Sequence, residues 1–367
     1  MIFFNMITII QKKETIILIS HIIIKKFYGV SMKHAFKRLT ALIMIMVFTC
    51  ISLIGCTKHT QKNDIRKITL NEVAHSIFYA PQYVAIEKGY FKDEGIDLTL
   101  VTGFGADKVM TALISGDADI GFMGSEASVY IYTGGSSDYA VNFAQLTQRA
   151  GNFLVSRDNI SNFKWSDVKG KTIIGGRAGG MPQMLLEYIL KKNNIDCKKD
   201  VEIVQNIDFG STAAAFASGL GDFTVEFEPS ATAIESENKG YIAASLGVDS
   251  GYVPYTAYCA KKSFLKNNPE IIQSFTNAIQ KGLEFVNSHN SSEIAAVIAP
   301  QFKETDIQTL TKIVERYKSQ DTWKNDTIFE ESSFSLLTDI LKQAGELDEN
   351  VPYNKLVTTD FSKKAVK

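Results

Sequence analysis

Cysteine, histidine and tryptophan are scarce in this chain. Of its 367 residues, four are cysteine, five are histidine and two are tryptophan. Cys50 and Cys56 belong to an apolar N-terminal segment, so the rest of the chain holds Cys197 and Cys259, far apart and without a C-x-x-C spacing. The sequence therefore predicts two buried free thiols, and it indicates neither a disulfide framework nor a zinc site.

The chain also has no overall excess of either charge, with 39 basic and 40 acidic side chains. That balance hides a difference, because residues 1–55 hold seven of the basic side chains and one of the acidic ones. Residues 56–367 are left with 32 basic and 39 acidic side chains. Nucleic acids are bound by clustered lysine and arginine side chains. Residues 56–367 have an excess of acidic side chains, so we do not expect them to bind nucleic acid.

Residues 32–55 have the organisation of a secretory signal peptide with a lipidation site. Lys33, Lys37 and Arg38 precede an apolar run of 16 residues, which is short for a membrane span of about 20. The run ends in Leu-Ile-Gly-Cys, which resembles a bacterial lipobox, so we expect Cys56 to carry a lipid. Residues 56–66 are then a polar tether. The alternative is a membrane-anchor helix that has an incidental cysteine at its end.

Residues 1–31 do not belong to a single signal, because they add two further apolar stretches before Met32. We interpret them as the product of an upstream start codon assigned in error. The alternative is a genuine extra hydrophobic segment.

After the tether, strand-like and helix-like patterns alternate along the chain. One series begins at residue 68 and a second at residue 168, while residues beyond 269 have the three- and four-residue apolar spacing of amphipathic helices. The alternation predicts two α/β units, each with a parallel sheet covered by helices, and a helical C-terminal part.

Motifs of catalysis and cofactor binding are incomplete. Gly170-Lys171-Thr172 resembles the end of a P-loop, but Trp165 stands where that pattern needs glycine. No G-x-S-x-G elbow is present, and His59, His75 and His289 have no metal-binding spacing. We therefore expect no catalytic residue, metal or cofactor, and note that His75 precedes a candidate loop.

Five strand-to-helix junctions are the candidate ligand-binding loops, because helix N-termini meet the carboxyl ends of strands there. They are residues 75–82, 103–108, 124–128, 175–181 and 226–231. Phe78, Tyr79, Tyr252 and Tyr255 lie at or near such loops, which favours a small-molecule pocket with aromatic walls. Any one of these loops, taken alone, is also consistent with a plain connection.

Three segments resemble a known family, namely residues 80–98, 113–124 and 168–180. From Glu72 to Gln320 the chain is similar to the type II solute-binding proteins of ABC importers. The branch of this family that it resembles binds nitrate, sulfonates and taurine, and also includes carriers of the pyrimidine precursor of thiamine. The resemblance implies an α/β fold with two lobes, each a sheet flanked by helices, joined by crossing strands near 153–160 and 250–258. The implied lobes are 67–156 with 254–367, and 157–253.

The same resemblance implies a function and its partners. The chain is expected to be a monomeric lipoprotein, anchored by Cys56 on the extracytoplasmic face of the cell membrane. It would capture a small organic solute and deliver it to an ABC permease with its ATPase. Two alternatives stay open: an enzyme like the pyrimidine synthases of this fold, and a lipoprotein that senses a solute without transporting it.

The residues expected to bind the ligand come from both lobes. They are Ser76, Phe78, Tyr79, Gln82, Gly124, Ser125, Glu126, Gln148, Arg149, Arg177, Gly179, Gly180, Glu228, Tyr252 and Tyr255. Met181 and Pro182 follow the last glycine, where sulfonate and nitrate binders usually have a hydroxyl side chain.

Charge then helps to choose the class of ligand. Glu126 and Glu228 are expected at the site opposite Arg149 and Arg177, and a buried carboxylate facing a bare anion is unfavourable. A taurine-like molecule or an aminopyrimidine, which offers a cationic or N–H donor group, is therefore the better candidate.

Overall fold

A computed structural model describes residues 65–366 of the chain. The expectations for residues 1–31, for the signal at 32–55 and for the tether as far as residue 64, including Cys56, lie outside the described residues. Residues 65–366 belong to one compact unit. None of their helices is long and apolar enough to cross a membrane.

Ten strands lie within residues 65–366, and they form two sheets of five strands each. In chain order they are β1 (Arg66–Glu72), β2 (Ile96–Thr102), β3 (Ile120–Gly124), β4 (Ala140–Thr147), β5 (Asn152–Ser156), β6 (Thr172–Ile174), β7 (Glu202–Val204), β8 (Phe223–Phe227), β9 (Tyr241–Ser245) and β10 (Thr256–Lys261). The first sheet has the order β2-β1-β3-β10-β4 and the second has the order β7-β6-β8-β5-β9. Each sheet is the centre of one lobe, as expected.

Both sheets are mixed, which corrects the prediction of parallel sheets. In the first, β1 runs parallel to β2 and β3, whereas β10 runs antiparallel to β3 and β4. In the second, β6 runs parallel to β7 and β8, whereas β5 runs antiparallel to β8 and β9. In each sheet the antiparallel strand directly follows a crossing between the lobes, so no helical crossover sets its direction.

Helices cover both sheets. The α-helices of residues 65–366 are α1 (Ala80–Glu87), α2 (Tyr90–Asp93), α3 (Ala106–Ser115), α4 (Glu126–Thr133), α5 (Met181–Lys192), α6 (Thr212–Ala217), α7 (Ser230–Ser236), α8 (Leu246–Ser250), α9 (Lys262–Asn267), α10 (Pro269–Ser288), α11 (Ser291–Ile298), α12 (Ile307–Ser319), α13 (Glu331–Ala344), α14 (Tyr353–Leu356) and α15 (Asp360–Ala365). Gly89 and Gly116 have positive φ angles of 76° and 91°, and they separate α1 from α2 and end α3.

Two short segments carry the chain between the lobes. Residues 148–151 join β4 to β5, and residues 251–255 join α8 to β10. The first crossing therefore precedes the expected range 153–160, because β5 pairs along its whole length within the second sheet. The second crossing falls inside the expected range 250–258.

The C-terminal part is divided between the lobes, although residues 254–367 were all expected in the first. Helix α13 packs on α5 of the second lobe, and the Lys191 ammonium donates a 2.6 Å hydrogen bond to the Gln343 carbonyl. After α13 the chain returns to the first sheet, where Val357 forms a bridge with Asn142. Helix α15 is also held at the first sheet, because the buried Ser362 hydroxyl donates to the Phe143 carbonyl.

Helix α10 approaches α1 closely because Gly282 faces the backbone of α1. A Cβ atom at this position would overlap with the Pro81 carbonyl oxygen. Ile279 and Leu283 on the same face are fully buried. This contact fixes α1, and with it the preceding loop 76–79 that reaches the boundary between the lobes.

We expect Gly282→Ala to lower the free energy of unfolding by about 1–3 kcal/mol, as overpacking usually does. The direction is opposite to the gain of about 1 kcal/mol that alanine brings over glycine in an unconstrained helix. Urea unfolding measures the effect, and Glu315→Ala at an exposed position of α12 should stay within about 0.5 kcal/mol of the wild type. Unchanged or raised stability of Gly282→Ala contradicts the close packing of α10 on α1.

Candidate ligand-binding site

A cavity lies between the lobes, and we call it the central cavity. All five predicted junctions contribute to its wall, through Tyr79, the segment 104–108, Glu126, Arg177 and Phe227 among others. Residues 255–256, at the end of the second crossing, complete the wall. The structure thus brings together loops that are up to 150 residues apart in the chain, as expected for the carboxyl edges of two sheets.

Three helices, α3, α4 and α5, begin at the central cavity. The residues that precede them, Gly105, Ser125 and Gly180, make no side-chain capping hydrogen bond. The first N–H groups of these helices therefore remain for other acceptors. Together with the helix dipoles, they make this part of the wall electropositive.

The carboxylate of Glu126, the first residue of α4, lies in this electropositive part. The residue is 2% exposed, and its Oε2 atom has no hydrogen-bond partner among the described residues. Burial raises the pKa of Glu126 to about 7, while the backbone N–H groups of Glu126 and Met181 and the charge of Arg177 oppose that rise. Because Met181 begins α5, groups from both lobes act on this carboxylate.

Gly124 leaves the space that the Glu126 carboxylate occupies. A Cβ atom at residue 124 would overlap with the carboxylate oxygens of Glu126. The glycine at the end of β3 and the acid at the start of α4 therefore form one arrangement, in which the side chain folds back over its own loop.

Two contacts join the lobes beside the central cavity. Arg177 Nη2 lies 3.4 Å from Asp107 Oδ1, and the Tyr130 hydroxyl donates a 2.8 Å hydrogen bond to the Gly179 carbonyl. Since both partners of the ion pair are half-exposed, it contributes little to stability. It does, however, place the Asp107 carboxylate beside Arg177, so the positive charge of the guanidinium already has a counter-ion within the protein.

Aromatic rings form much of the remaining wall, from Tyr79, Phe104, Phe227 and Tyr255. The ring centroids of Phe227 and Tyr255 are 6.1 Å apart. Tyr255 is 3% exposed, and burial raises the pKa of its hydroxyl well above the ordinary value of 10. Phe104 has a φ angle of 56°, a left-handed conformation that is uncommon for a bulky residue. Apolar walls with a few aimed polar groups are typical of small-molecule sites.

The central cavity shares wall residues with two neighbouring spaces. Its own volume is about 80 Å³, below the roughly 300 Å³ of smaller ligand pockets. Towards α4 it adjoins a space of about 670 Å³, the outer cleft, with Gly179 and Glu346 in its wall. Towards Phe227 it adjoins a space of about 230 Å³, the side cavity, with His75 and Glu226 in its wall. A ring-bearing ligand must therefore extend into one of these spaces.

Seven of the predicted ligand-binding residues lie at these spaces. The structure places Tyr79, Gly124, Glu126, Arg177, Gly180 and Tyr255 at the central cavity and Gly179 at the outer cleft.

Ser76 and Phe78 were expected at the site but lie outside its spaces. The Ser76 hydroxyl donates a 2.6 Å hydrogen bond to the Glu228 carbonyl and thereby links the lobes. Phe78 is fully buried, and its carbonyl accepts a 2.8 Å hydrogen bond from Trp323 Nε1. Both residues support the loop that presents Tyr79.

Gln82 and Ser125 also serve the framework and not the cavity wall. The Gln82 side chain donates a 2.7 Å hydrogen bond to Glu72 and accepts a 3.0 Å one from the Tyr258 hydroxyl. The Ser125 hydroxyl donates to the Pro254 carbonyl, which ties the start of α4 to the second crossing.

Gln148, Arg149 and Tyr252 belong to the crossings and lie away from all three spaces. The Gln148 amide donates to the carbonyls of Asp321 and Trp323, each at 3.2 Å. The Arg149 guanidinium stacks 4.0 Å from the Tyr252 ring, whose hydroxyl donates a 2.7 Å hydrogen bond to Asp321. These contacts pin both crossings to the segment after α12, which explains the polar and aromatic residues there without a ligand.

Glu228 does not line the site either, because Arg316 of α12 forms an ion pair with its carboxylate. Thr232 donates two further hydrogen bonds of 2.9 Å to the same carboxylate. Burial raises the pKa of Glu228, and Arg316 and Thr232 oppose that rise. Of the four charged residues expected at the ligand, Glu126 and Arg177 line the central cavity, whereas Glu228 and Arg149 line none of the three spaces.

Several residues at the central cavity were not singled out from the sequence. Phe104, Asp107 and Lys108 come from the junction 103–108, which was predicted as a site loop without naming a side chain. Asp208 and Phe227 also line the cavity. The sequence signal that could have identified Phe104 is the Gly-Phe-Gly turn directly before a helix. The conformation of such a turn fixes where the bulky side chain between the two glycines lies.

Beside the site, a buried carboxylate is surrounded by donors. Glu72 is fully buried and accepts hydrogen bonds from Gln82, Tyr83 and Thr102 at 2.7–3.1 Å. His75 Nδ1 lies 2.9 Å from Glu72 Oε1, and its Nε2 lies 2.9 Å from the Gln301 carbonyl. Since both ring nitrogens face acceptors, only the protonated ring donates to both. Accordingly, the hydrogen bond to Glu72 is the largest effect raising the pKa of His75 above its ordinary value of 6.5.

Comparison with known proteins decides the family. A family model described as NMT1/THI5 like matches residues 77–292. The chain belongs to this family. YtlA of Bacillus subtilis (strain 168), which carries the name of a binding protein, is 44% identical over 318 residues, or 87% of this chain and 94% of YtlA.

The fold of this NMT1/THI5-like chain is also found in a solved structure. The periplasmic nitrate-binding protein NrtA from Synechocystis PCC 6803 superposes with a TM-score of 0.70 at 15% identity, over 83% of this chain and 89% of NrtA. The periplasmic-binding-protein fold expected from the sequence is therefore confirmed.

A more distant relative carries the name of an enzyme. The 4-amino-5-hydroxymethyl-2-methylpyrimidine phosphate synthase of Aspergillus parasiticus is 23% identical over 220 residues, 57% of this chain and 63% of the synthase.

We expect His75→Gln to destabilise the protein more at about pH 5.5 than at about pH 8.5. The pKa of His75 is raised in the folded state, so its contribution is complete below the unfolded value and is lost as pH rises through the folded one. Thermal unfolding across this range measures the difference from the wild type. His289→Gln removes a histidine outside the Glu72 network and is the control. A difference between His75→Gln and wild type that does not change with pH contradicts a protonated His75.

Proposed function

We propose that this chain is the substrate-binding lipoprotein of an ABC importer, which captures a small organic solute between its lobes and delivers it to a permease. The solute carries a cationic or N–H donor group, as an aminopyrimidine or a taurine-like molecule does. Cys56 carries the lipid that holds this monomer on the extracytoplasmic face of the membrane, where the permease and its ATPase are its partners. Family membership and the two-lobed fold support this proposal.

The observation that carries the choice of ligand class is the state of Glu126. Its carboxylate is buried at the central cavity with one oxygen lacking a hydrogen-bond partner among the described residues. A buried charge of this kind is stabilised when a cation or an N–H donor is placed against it. A perturbed carboxyl group in a cleft is also a frequent mark of a binding site.

Bare anions are disfavoured by the same arrangement. The N–H groups of Glu126 and Met181, at the starts of α4 and α5, already act on the Glu126 carboxylate. Helix N-termini are where a nitrate or sulfonate group would otherwise bind. In this chain a carboxylate of the protein takes that place, and Arg177 is paired with Asp107.

An enzyme of the pyrimidine-synthase type is the second candidate, because one relative has that name. Thiol chemistry has little support at the site, since neither Cys197 nor Cys259 lines any of the three spaces. Burial raises their pKa values to about 11 and about 12. A lipoprotein that senses the solute without transport would use the same cavity, and a neighbouring permease gene would argue against it.

We expect a benzamidine-like cation or 4-aminopyrimidine to bind, and Glu126→Gln to weaken that binding by about 1–3 kcal/mol, as for an unsatisfied buried partner. For benzamidine, affinity should rise between about pH 6 and pH 8, because the ionised carboxylate binds the cation better. The other titratable or charged groups that line the two spaces at Glu126 are Arg177, Asp107, Lys108, Asp208, Tyr79, Tyr130, Tyr255 and Glu346. Calorimetry at several pH values measures both effects.

The control is Glu237→Gln, which removes an exposed acid of the second lobe and should leave affinity unchanged. A ligand at about a hundredfold excess over its Kd stabilises the protein by about 2.7 kcal/mol, so a thermal-shift panel identifies the class. The panel contains 4-aminopyrimidine, benzamidine, taurine, nitrate and methanesulfonate. Shifts with nitrate or methanesulfonate alone contradict the proposed ligand class.

We expect Cys56→Ser to release the protein from the membrane or to leave its signal uncut, because the thiol that accepts the lipid is lost. Membrane fractionation and intact mass of the product measure this. Cys50→Ser, six residues earlier in the apolar run, is the matched control and should be processed normally. Normal retention and normal processed mass of Cys56→Ser contradict lipid anchoring at this residue.

A further inference from the structure

A second buried carboxylate, Glu226, faces the side cavity. Phe104, Pro182 and Phe227 line both the side cavity and the central cavity, so the two spaces adjoin at these side chains. Glu226 is 4% exposed. The side cavity has a volume of about 230 Å³, which is larger than the central cavity itself.

Within residues 65–366, the surroundings of Glu226 provide no counter-ion for its charge. Its carboxylate accepts hydrogen bonds from the hydroxyls of Thr224 at 2.7 Å and Thr212 at 3.1 Å. Burial raises the pKa of Glu226 to about 7, and these two hydroxyls are what opposes the rise. No lysine or arginine is among the described residues that line the side cavity. His75 lines it too, but both its ring nitrogens face other acceptors.

Other buried carboxylates at the boundary between the lobes provide a comparison. Glu228 lies two residues beyond Glu226 and is paired with Arg316, and Glu72 is paired with His75. Neither of these two residues lines the central cavity, the outer cleft or the side cavity. The two buried carboxylates that do face these adjoining spaces, Glu126 and Glu226, have no such pair among residues 65–366. A carboxylate of this kind is stabilised by a cation or donor that comes from outside.

We propose that the side cavity is the second half of the ligand site, and that Glu226 accepts a hydrogen bond or ion pair from a second donor group of the ligand. The inference rests on the proposed function and narrows its ligand class. The ligand is a flat ring compound with cationic or N–H donor groups at two ends. One end pairs with Glu126, the other pairs with Glu226, and the ring lies against Phe104 and Phe227.

The test compares a probe that has one cationic end with a probe that has two. Calorimetry on the purified chain measures the affinity for benzamidine and for benzene-1,4-dicarboxamidine. The wild type is expected to bind the second probe roughly tenfold or more tightly than the first, as for one added charged hydrogen bond. Glu226→Gln should remove this advantage and leave the affinity for benzamidine, whereas Glu126→Gln should weaken both probes.

The melting temperature of Glu226→Gln and two further variants distinguish a loss of ligand contact from a loss of folding. Glu226→Gln keeps one of the two oxygens that accept from Thr212 and Thr224, and the hydroxyl at the other position can turn to accept from the new NH2 group. Because the substitution also removes a buried charge, the melting temperature should match or exceed that of the wild type. Ala213→Leu leaves Glu226 in place but fills the side cavity with an apolar side chain, and should also abolish the advantage of the second probe. Glu237→Gln, an exposed acid of the same lobe, should behave as the wild type.

The outcomes separate this inference from the proposed function. If Glu126→Gln loses benzamidine while Glu226→Gln and Ala213→Leu keep every wild-type affinity, the ligand class stands and the side cavity is not part of the site. Equal affinity of the wild type for both probes overturns the inference in the same way. If the wild type binds neither probe, both the inference and the proposed ligand class are overturned.

Discussion

The Glu126 carboxylate lies where the two lobes meet, and the stabilisation of its buried charge involves both of them. Gly124 in the first lobe leaves room for the carboxylate, and the Met181 N–H group in the second lobe acts on it. Glu228 is another buried carboxylate of the same region, but Arg316 forms an ion pair with it within the protein. The contrast separates a carboxylate that joins the framework from one that has an oxygen without a hydrogen-bond partner among the described residues, which is the one we propose for solute binding. The aromatic wall and the neighbouring spaces surround this Glu126 carboxylate. The proposal that they bind a ligand therefore depends on it.

Local features were predictable from the sequence because local physics produces them. Strand β1 follows from its alternating apolar residues, and the end of α3 at Gly116 follows from the left-handed conformation that glycine accepts. The five junctions were found because the carboxyl edge of a sheet gathers loops whatever their separation in the chain. The family and its two-lobed fold were also recognised from segments such as residues 80–98.

Features that depend on distant parts of the chain were not predictable in this way. Arg316 forms an ion pair with Glu228, 88 residues earlier in the chain. The sequence around either residue does not predict this pairing. The antiparallel strands β5 and β10 depend on which lobe the chain enters after each crossing. The aromatic and polar residues of the crossings, such as Tyr252 and Gln148, look like ligand contacts in sequence but hold the segment 321–323. Side-chain chemistry alone therefore does not distinguish a hinge from a site.

Helix α13 gives the lobes a third connection besides the two crossings. It packs on α5, whereas the segments before and after it pair with β4 at Trp323 and Val357. Its C-terminal end brings Glu346 into the wall of the outer cleft, close to Gly179. Residues 345–352 therefore lead from a helix held by the second lobe back to a strand of the first. Any change in the separation of the lobes has to be taken up by this segment as well as by the two crossings.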